Sequence, residues 1–307
     1  MTFSDAIKTG INIVNKNWML VFINVVSMIV TLIGFAIIII VPLVILFIII
    51  GADSISSIKD INPEALFSAK YLWLALFFAA FALVYTIFVT VAMLFIYGAS
   101  SGVLAKTLSD ENYIFSFSFF MSEGKRLFMP MLSYTSLVGL AAIAILVVAA
   151  VVLFIFYNVL PSESAGFAVT FLKYLFFLLV LAAAFFVFNA VIALTFYGSA
   201  AIAVGNLKTF EVFKDCIRVM MKNPSTFWFY LVLLFLLVFA KIILLIITLL
   251  MSAIPLIGIV FGFTLNITMP VVVIYLTYIF MASLFTYYFG LTQIKSDTLS
   301  QEIIIEQ

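Results

Sequence analysis

Charged residues fall in clusters along this chain, and the stretches between clusters are almost wholly apolar. No charge separates Lys16 from Asp53, Lys70 from Lys106, Arg126 from Glu163, Lys173 from Lys208, or Lys241 from Lys295. A helix that crosses the hydrocarbon core of a bilayer needs roughly 20 apolar residues. The first four stretches therefore hold one helix each. The last is longer and holds the end of one helix and the whole of another, with turn signals at Pro255, Gly258, Asn266 and Pro270. The pattern predicts six spans, roughly at 18–42, 71–97, 130–157, 174–197, 226–250 and 270–290. Transmembrane strands do not fit, because the runs are too long and do not alternate. The fold class is an all-α integral membrane protein, read as a single membrane domain over 1–307.

Short mixed segments precede alternate spans, and they resemble one another. At a fixed offset Lys8 meets Lys214, Ile11 meets Ile217, Lys16 meets Lys222 and Asn17 meets Asn223. A weaker middle copy begins near Phe117 and aligns Gly124 with Gly10, and Arg126 with Asn12 and Arg218. The second span of each pair closes alike, at Tyr97-Gly98, Tyr197-Gly198 and Phe289-Gly290. This predicts three pseudo-repeated units, about 1–110, 111–206 and 207–307, each an interfacial amphipathic helix followed by a helical hairpin. The short helices are expected over 4–16, 118–128 and 209–222. In the first, Phe3, Ile7, Ile11, Val14 and Trp18 share a face opposite Lys8, Asn12 and Lys16. In the third, Phe210, Phe213, Ile217 and Met220 oppose Lys214, Arg218 and Lys222. Ser4 and Thr209 are the expected N-caps, with Asp5 and Glu211 in the first turns. The basic stripe Lys8, Lys16, Arg126, Lys214, Arg218 and Lys222 serves membrane topology and packing, or else docks partners or lipid headgroups.

Composition agrees with lipid as the solvent: 67% of residues are hydrophobic and 9% charged, against about half and a quarter in soluble domains. The net charge of +1 points to no nucleic-acid partner. With an even number of spans, one side carries ten basic residues and the other only Lys59, Lys70 and Lys173. The positive-inside rule puts the first side, with both termini, in the cytoplasm. Trp18, Tyr97, Tyr197, Trp228 and Tyr288 are the expected inner anchors, and Tyr71, Trp73, Tyr157 and Tyr174 the outer ones. The first apolar run starts at Trp18 and is too long for a cleavable signal.

The segments Phe3-Ser4-Asp5-Ala6-Ile7-Lys8, Lys16-Asn17-Trp18 and Glu211 to Lys222-Asn223 resemble a family of bacterial and archaeal six-span membrane domains, which implies the plasma membrane of a prokaryote. That family includes the membrane domain attached to some glycerophosphodiester phosphodiesterases, and related stand-alone proteins of unknown function. The likeness extends over essentially the whole chain. It implies no catalytic residue within the membrane domain. The phosphodiesterase chemistry needs His and clustered acidic ligands, which this chain does not offer, so that activity is not expected here.

There is no histidine, and Cys216 is the one cysteine. This removes the usual general base and the usual metal and haem ligands. No cofactor, no metal and no enzymatic activity are expected. Cys216 is read as a small apolar filler, with acylation as its other reading. Lys241 is the one charge within a predicted span, where insertion costs about 3 kcal/mol. It falls about 24 Å along its helix at 1.5 Å per residue. Either its ammonium snorkels to headgroups, or it contacts an anion or lipid with Asn189 as a candidate partner. Asn24, Thr86, Thr90 and Thr195 are read as helix bridges, and 98–102 and 198–201 as small-residue packing. Two function classes follow. One is a structural or interaction component of a membrane assembly, with lipids and other membrane proteins as partners. The other transports or shelters a lipid or apolar solute, with Lys241 on an anionic group.

Overall fold

A computed structural model describes residues 1–50, 69–110, 112–159, 166–205, 209–252 and 257–305. Pro255, Lys59 and Glu163 lie outside them. Every regular element among the described residues is helical. In chain order they are α1 (Phe3–Lys16), α2 (Met19–Phe35), a π-helical turn (Ala36–Ile40), α3 (Val41–Ile50), α4 (Ala69–Ser109), α5 (Phe117–Val159), α6 (Phe167–Val204), α7 (Thr209–Lys222), α8 (Ser225–Ser252) and α9 (Ile257–Ile305). Six segments are long and apolar enough to cross a membrane: Met19–Ile45, Ala75–Ser109, Phe117–Asn158, Val169–Val204, Ser225–Met251 and Thr268–Thr292. Each contains most of one predicted span. The protein is a polytopic, all-α membrane protein.

The chain divides into two compact units, Met19–Tyr97 and Met1–Trp18 with Gly98–Gln307. In the first, α2 meets the early part of α4. The Tyr85 hydroxyl donates to the Thr31 carbonyl at 3.4 Å, and its ring meets Phe35 edge-on at 5.4 Å. In the second unit the buried side chains gather where the helices carry their cations, here called the basic end. Tyr134, Tyr230, Phe120, Phe229 and Phe285 are the largest of them. The opposite halves of α5, α6 and α8 expose Leu146, Phe154, Leu178, Phe185, Ile246 and Leu250, as helices solvated by lipid do.

Several element boundaries differ from the sequence expectation. Thr2, not Ser4, caps α1: the Asp5 amide donates to Thr2 Oγ1 at 3.2 Å, and the Thr2 amide returns to Asp5 Oδ2 at 3.3 Å. This reciprocal box places Ser4 inside the first turn. Thr209 is the first helical residue of α7 rather than a residue ahead of it. Residues 118–128 are helical but are not a separate short helix. They run through Pro130 into the span as part of α5. Likewise Gly258, Asn266 and Pro270 lie inside α9 rather than in a turn. Each proline forfeits one amide bond, but in lipid a broken helix would strand more backbone groups than a kinked one.

The short helices also bury a face that adjoins the predicted apolar stripe, with Val14 of α1 common to face and stripe. Ala6, Gly10, Ile13 and Val14 form the buried face of α1, while Phe3 and Trp18 are exposed. In α7 the buried residues are Val212 and Cys216, while Phe210 is exposed. Small side chains let these helices approach their neighbours closely, while the partly exposed Phe3 ring packs on Phe229 at 4.7 Å. Ala6 and Gly10 match Val212 and Cys216 at the same offset that aligns Lys8 with Lys214.

Candidate functional site

The polar groups of the larger unit converge at its basic end, and each is placed by a helix terminus or a small-residue contact. Asn17 follows α1 and is fully buried. Its amide donates to the Ile13 carbonyl at 2.9 Å and to Thr107 Oγ1 at 3.1 Å, which ties the end of α1 to the last turn of α4. About two helical turns before α4 ends, Gly102 faces α5. A β-carbon there would stand 2.5 Å from Glu123 Oε2 and 2.8 Å from Glu123 Cβ, so only glycine admits the carboxylate. Glu123 is 8% exposed and pairs with Arg126 through two bonds, at 2.9 Å to Nε and 2.6 Å to Nη2. Nη2 also donates to the Ala203 carbonyl at 3.1 Å, at the last turn of α6. A bidentate charged pair that closes on an orphan terminal carbonyl joins α4, α5 and α6. Sequence reading missed Glu123. The signal was its spacing of three from Arg126, which puts both on one helix face.

Hydroxyl groups complete the same end. The Tyr134 hydroxyl donates to the Leu194 carbonyl at 2.7 Å, and its ring lies against Gly198. The Tyr197 hydroxyl donates to the Thr226 carbonyl at 2.8 Å, so Tyr197 is a buried cross-link and not the interfacial anchor expected of it. Trp18 and Trp228, by contrast, are exposed. Ser100 and Tyr278 share a 2.8 Å bond between α4 and α9. The small-residue stretches at 98–102 and 198–201 are packed, with Ala99, Ser100, Ser101, Ser199 and Ala200 all buried. Cys216 is buried, and desolvation pushes its thiol pKa up to about 12.

The predicted cations do not form a single array. Arg126 belongs to the clamp just described. Lys8, Lys16, Lys214, Arg218 and Lys222 are exposed, and Arg218 pairs with Asp215 at 3.0 Å. Lys241 and Asn189 are not brought together. Lys241 is exposed on α8 and makes no hydrogen bond or ion pair among the described residues. Asn189 is buried, and its amide donates to the Phe185 carbonyl of its own helix at 2.8 Å. At the far end, Lys173 lies over the Tyr157 ring at 4.4 Å.

Two open grooves mark the surface of this unit. One, of about 400 Å³, lies between α5 and α6 and is lined by aliphatic residues such as Ala144, Val148, Ala183 and Val187. The other, of about 270 Å³, lies where α6, α7 and α8 meet. Lys241 lines neither. Among the described residues no three His, Cys, Asp or Glu side chains form a metal-binding group. Comparison with family models, with curated proteins and with solved structures returned no match.

Proposed function

We propose that this polytopic membrane protein is a non-enzymatic structural component of a membrane assembly, with the basic end and both termini in the cytoplasm of a prokaryotic cell. The observation that carries the reading is the unequal packing of the helices. Helices α4, α5 and α6 have 41, 43 and 38 residues, or about 57 to 65 Å at 1.5 Å per residue. The hydrocarbon core needs only about 30 Å of that length. The excess is where the buried tyrosines, the Glu123–Arg126 clamp and the packed faces of α1 and α7 lie. A cross-linked polar platform of this kind suits attachment of other proteins.

Exposed large apolar side chains on the other halves supply surfaces for lipid or neighbouring spans. The matching burial of Ala6 and Gly10 with Val212 and Cys216 supports a common origin for the first and third units. Kinship with the six-span domains rests on the sequence segments and is part of the same proposal.

The test is extraction of the tagged chain from its native membrane directly into polymer-bounded lipid discs. The reading predicts a complex larger than one chain, with a partner protein or further copies in fixed ratio, and the same complex for Lys241→Met. A lone chain carrying an anionic lipid that Lys241→Met abolishes would overturn it in favour of the lipid-handling class.

A further inference from the structure

We propose that the groove between α6, α7 and α8 is a site for one anionic phospholipid of the leaflet at the basic end, an inference independent of the structural role proposed above. Ala190 forms its floor, Ile217, Met220 and Met221 one wall, and Phe227 and Trp228 the other. This apolar trough is open to the outside. Met221 is 78% exposed and Trp228 57% exposed. Neither exposure suits water, and both suit the acyl boundary below the headgroups.

Charge says which lipid. Around the axis of α7 the order is the buried Cys216 face, then the groove face of Ile217, Met220 and Met221, then the stripe of Lys214, Arg218 and Lys222. The cations therefore edge the groove on the side away from the core, where a headgroup sits when its chain lies along the trough. Asp215 engages Arg218 at 3.0 Å. Lys214 and Lys222 make no ion pair among the described residues, and Glu211 is the other acid on this face. The balance favours a phosphate with net negative charge over a zwitterion. Trp228 and the Met pair adapt to a flexible chain without demanding a particular one.

The test uses full-length protein in lipid discs, with Trp18→Phe and Trp73→Phe so that Trp228 alone reports. Phosphatidylglycerol or phosphatidylcholine with brominated acyl chains is titrated into an unbrominated background, and quenching is followed. Phosphatidylglycerol should quench Trp228 at a several-fold lower mole fraction than phosphatidylcholine. Lys222→Gln should lower that preference about five-fold, the effect of one cation near the surface. Ala190→Leu, which raises the floor without changing charge, should abolish it, and Lys8→Gln on the distant α1 should not. Equal quenching by the two lipids in the parent overturns the site. So does an Ala190→Leu protein that keeps Cys216 shielded from maleimide, and is thus folded, yet retains the full preference.

Discussion

Cys216 illustrates how one residue's chemistry follows from its packing. Desolvation by burial raises the thiol pKa to about 12, against the opposing hydrogen bonds of Tyr288 and Tyr134, which lower it. The thiolate is the nucleophile, so alkylation of the folded protein by maleimide at pH 7 should be far slower than after denaturation, and should accelerate only as pH approaches 12. Rapid labelling of folded protein would show the face of α7 to be turned outward. Glycine 102 gives the complementary case. Gly102→Ala places a methyl group against Glu123 and must displace the clamp, costing about 1–3 kcal/mol despite alanine's better helix propensity. A lowered midpoint in thermal unfolding checks it, and an unchanged or raised midpoint would show that the clamp moves freely. Neither role could be read in the chain. Gly102 looked like any small residue in a stretch of five, and Arg126 like one cation of an interfacial stripe, because the carbonyl that completes its site comes from Ala203 on another helix.

At the scale of elements, the spans were legible because a charge within hydrocarbon is costly, and the gaps between charges trace the bilayer directly. The facing of the short helices was not legible. In water an apolar stripe marks the core, but beside a membrane both core and lipid are apolar. Periodicity marked Phe3, Ile7 and Ile11 as the face toward the acyl boundary, but it did not mark the adjoining face, Ala6, Gly10 and Ile13, that packs within the protein. Boundaries failed at Pro130 and Pro270 because the helix continues through each proline. The start of α1 can be tested on its capping box. Thr2→Ala removes the acceptor for the Asp5 amide and should cost about 1 kcal/mol, seen as faster amide exchange over the first turn. The hydrogen bond from Thr2 holds the Asp5 carboxyl below its ordinary value. Its stabilisation is thus complete above the unfolded value of about 4 and disappears as pH falls through the lowered folded value. Protection of the first turn of α1, taken relative to the intrinsic exchange rate at each pH, should fall only on strong acidification, and a loss of protection between pH 7 and 5 would contradict this reading.

For the whole molecule, we propose that the packed, basic end of the larger unit faces the cytoplasm. The fold class and the number of spans were legible in the sequence. The concentration of buried polar contacts at one end was not, because those contacts link α4 with the end of α1 and with α9, and α5 with α6, across long stretches of chain. Orientation rests on ten basic residues against three, and the platform role rests on orientation. The most direct measurement is labelling of single cysteines at Ser4, Asn112, Asn158 and Ser300 with a membrane-impermeant maleimide, in intact cells and after permeabilisation, with the shielded Cys216 as background. The account predicts that Asn158→Cys is labelled in intact cells, while the Ser4, Asn112 and Ser300 positions are labelled only after permeabilisation. Labelling of Ser4→Cys or Ser300→Cys in intact cells, or protection of Asn158→Cys until permeabilisation, would contradict it.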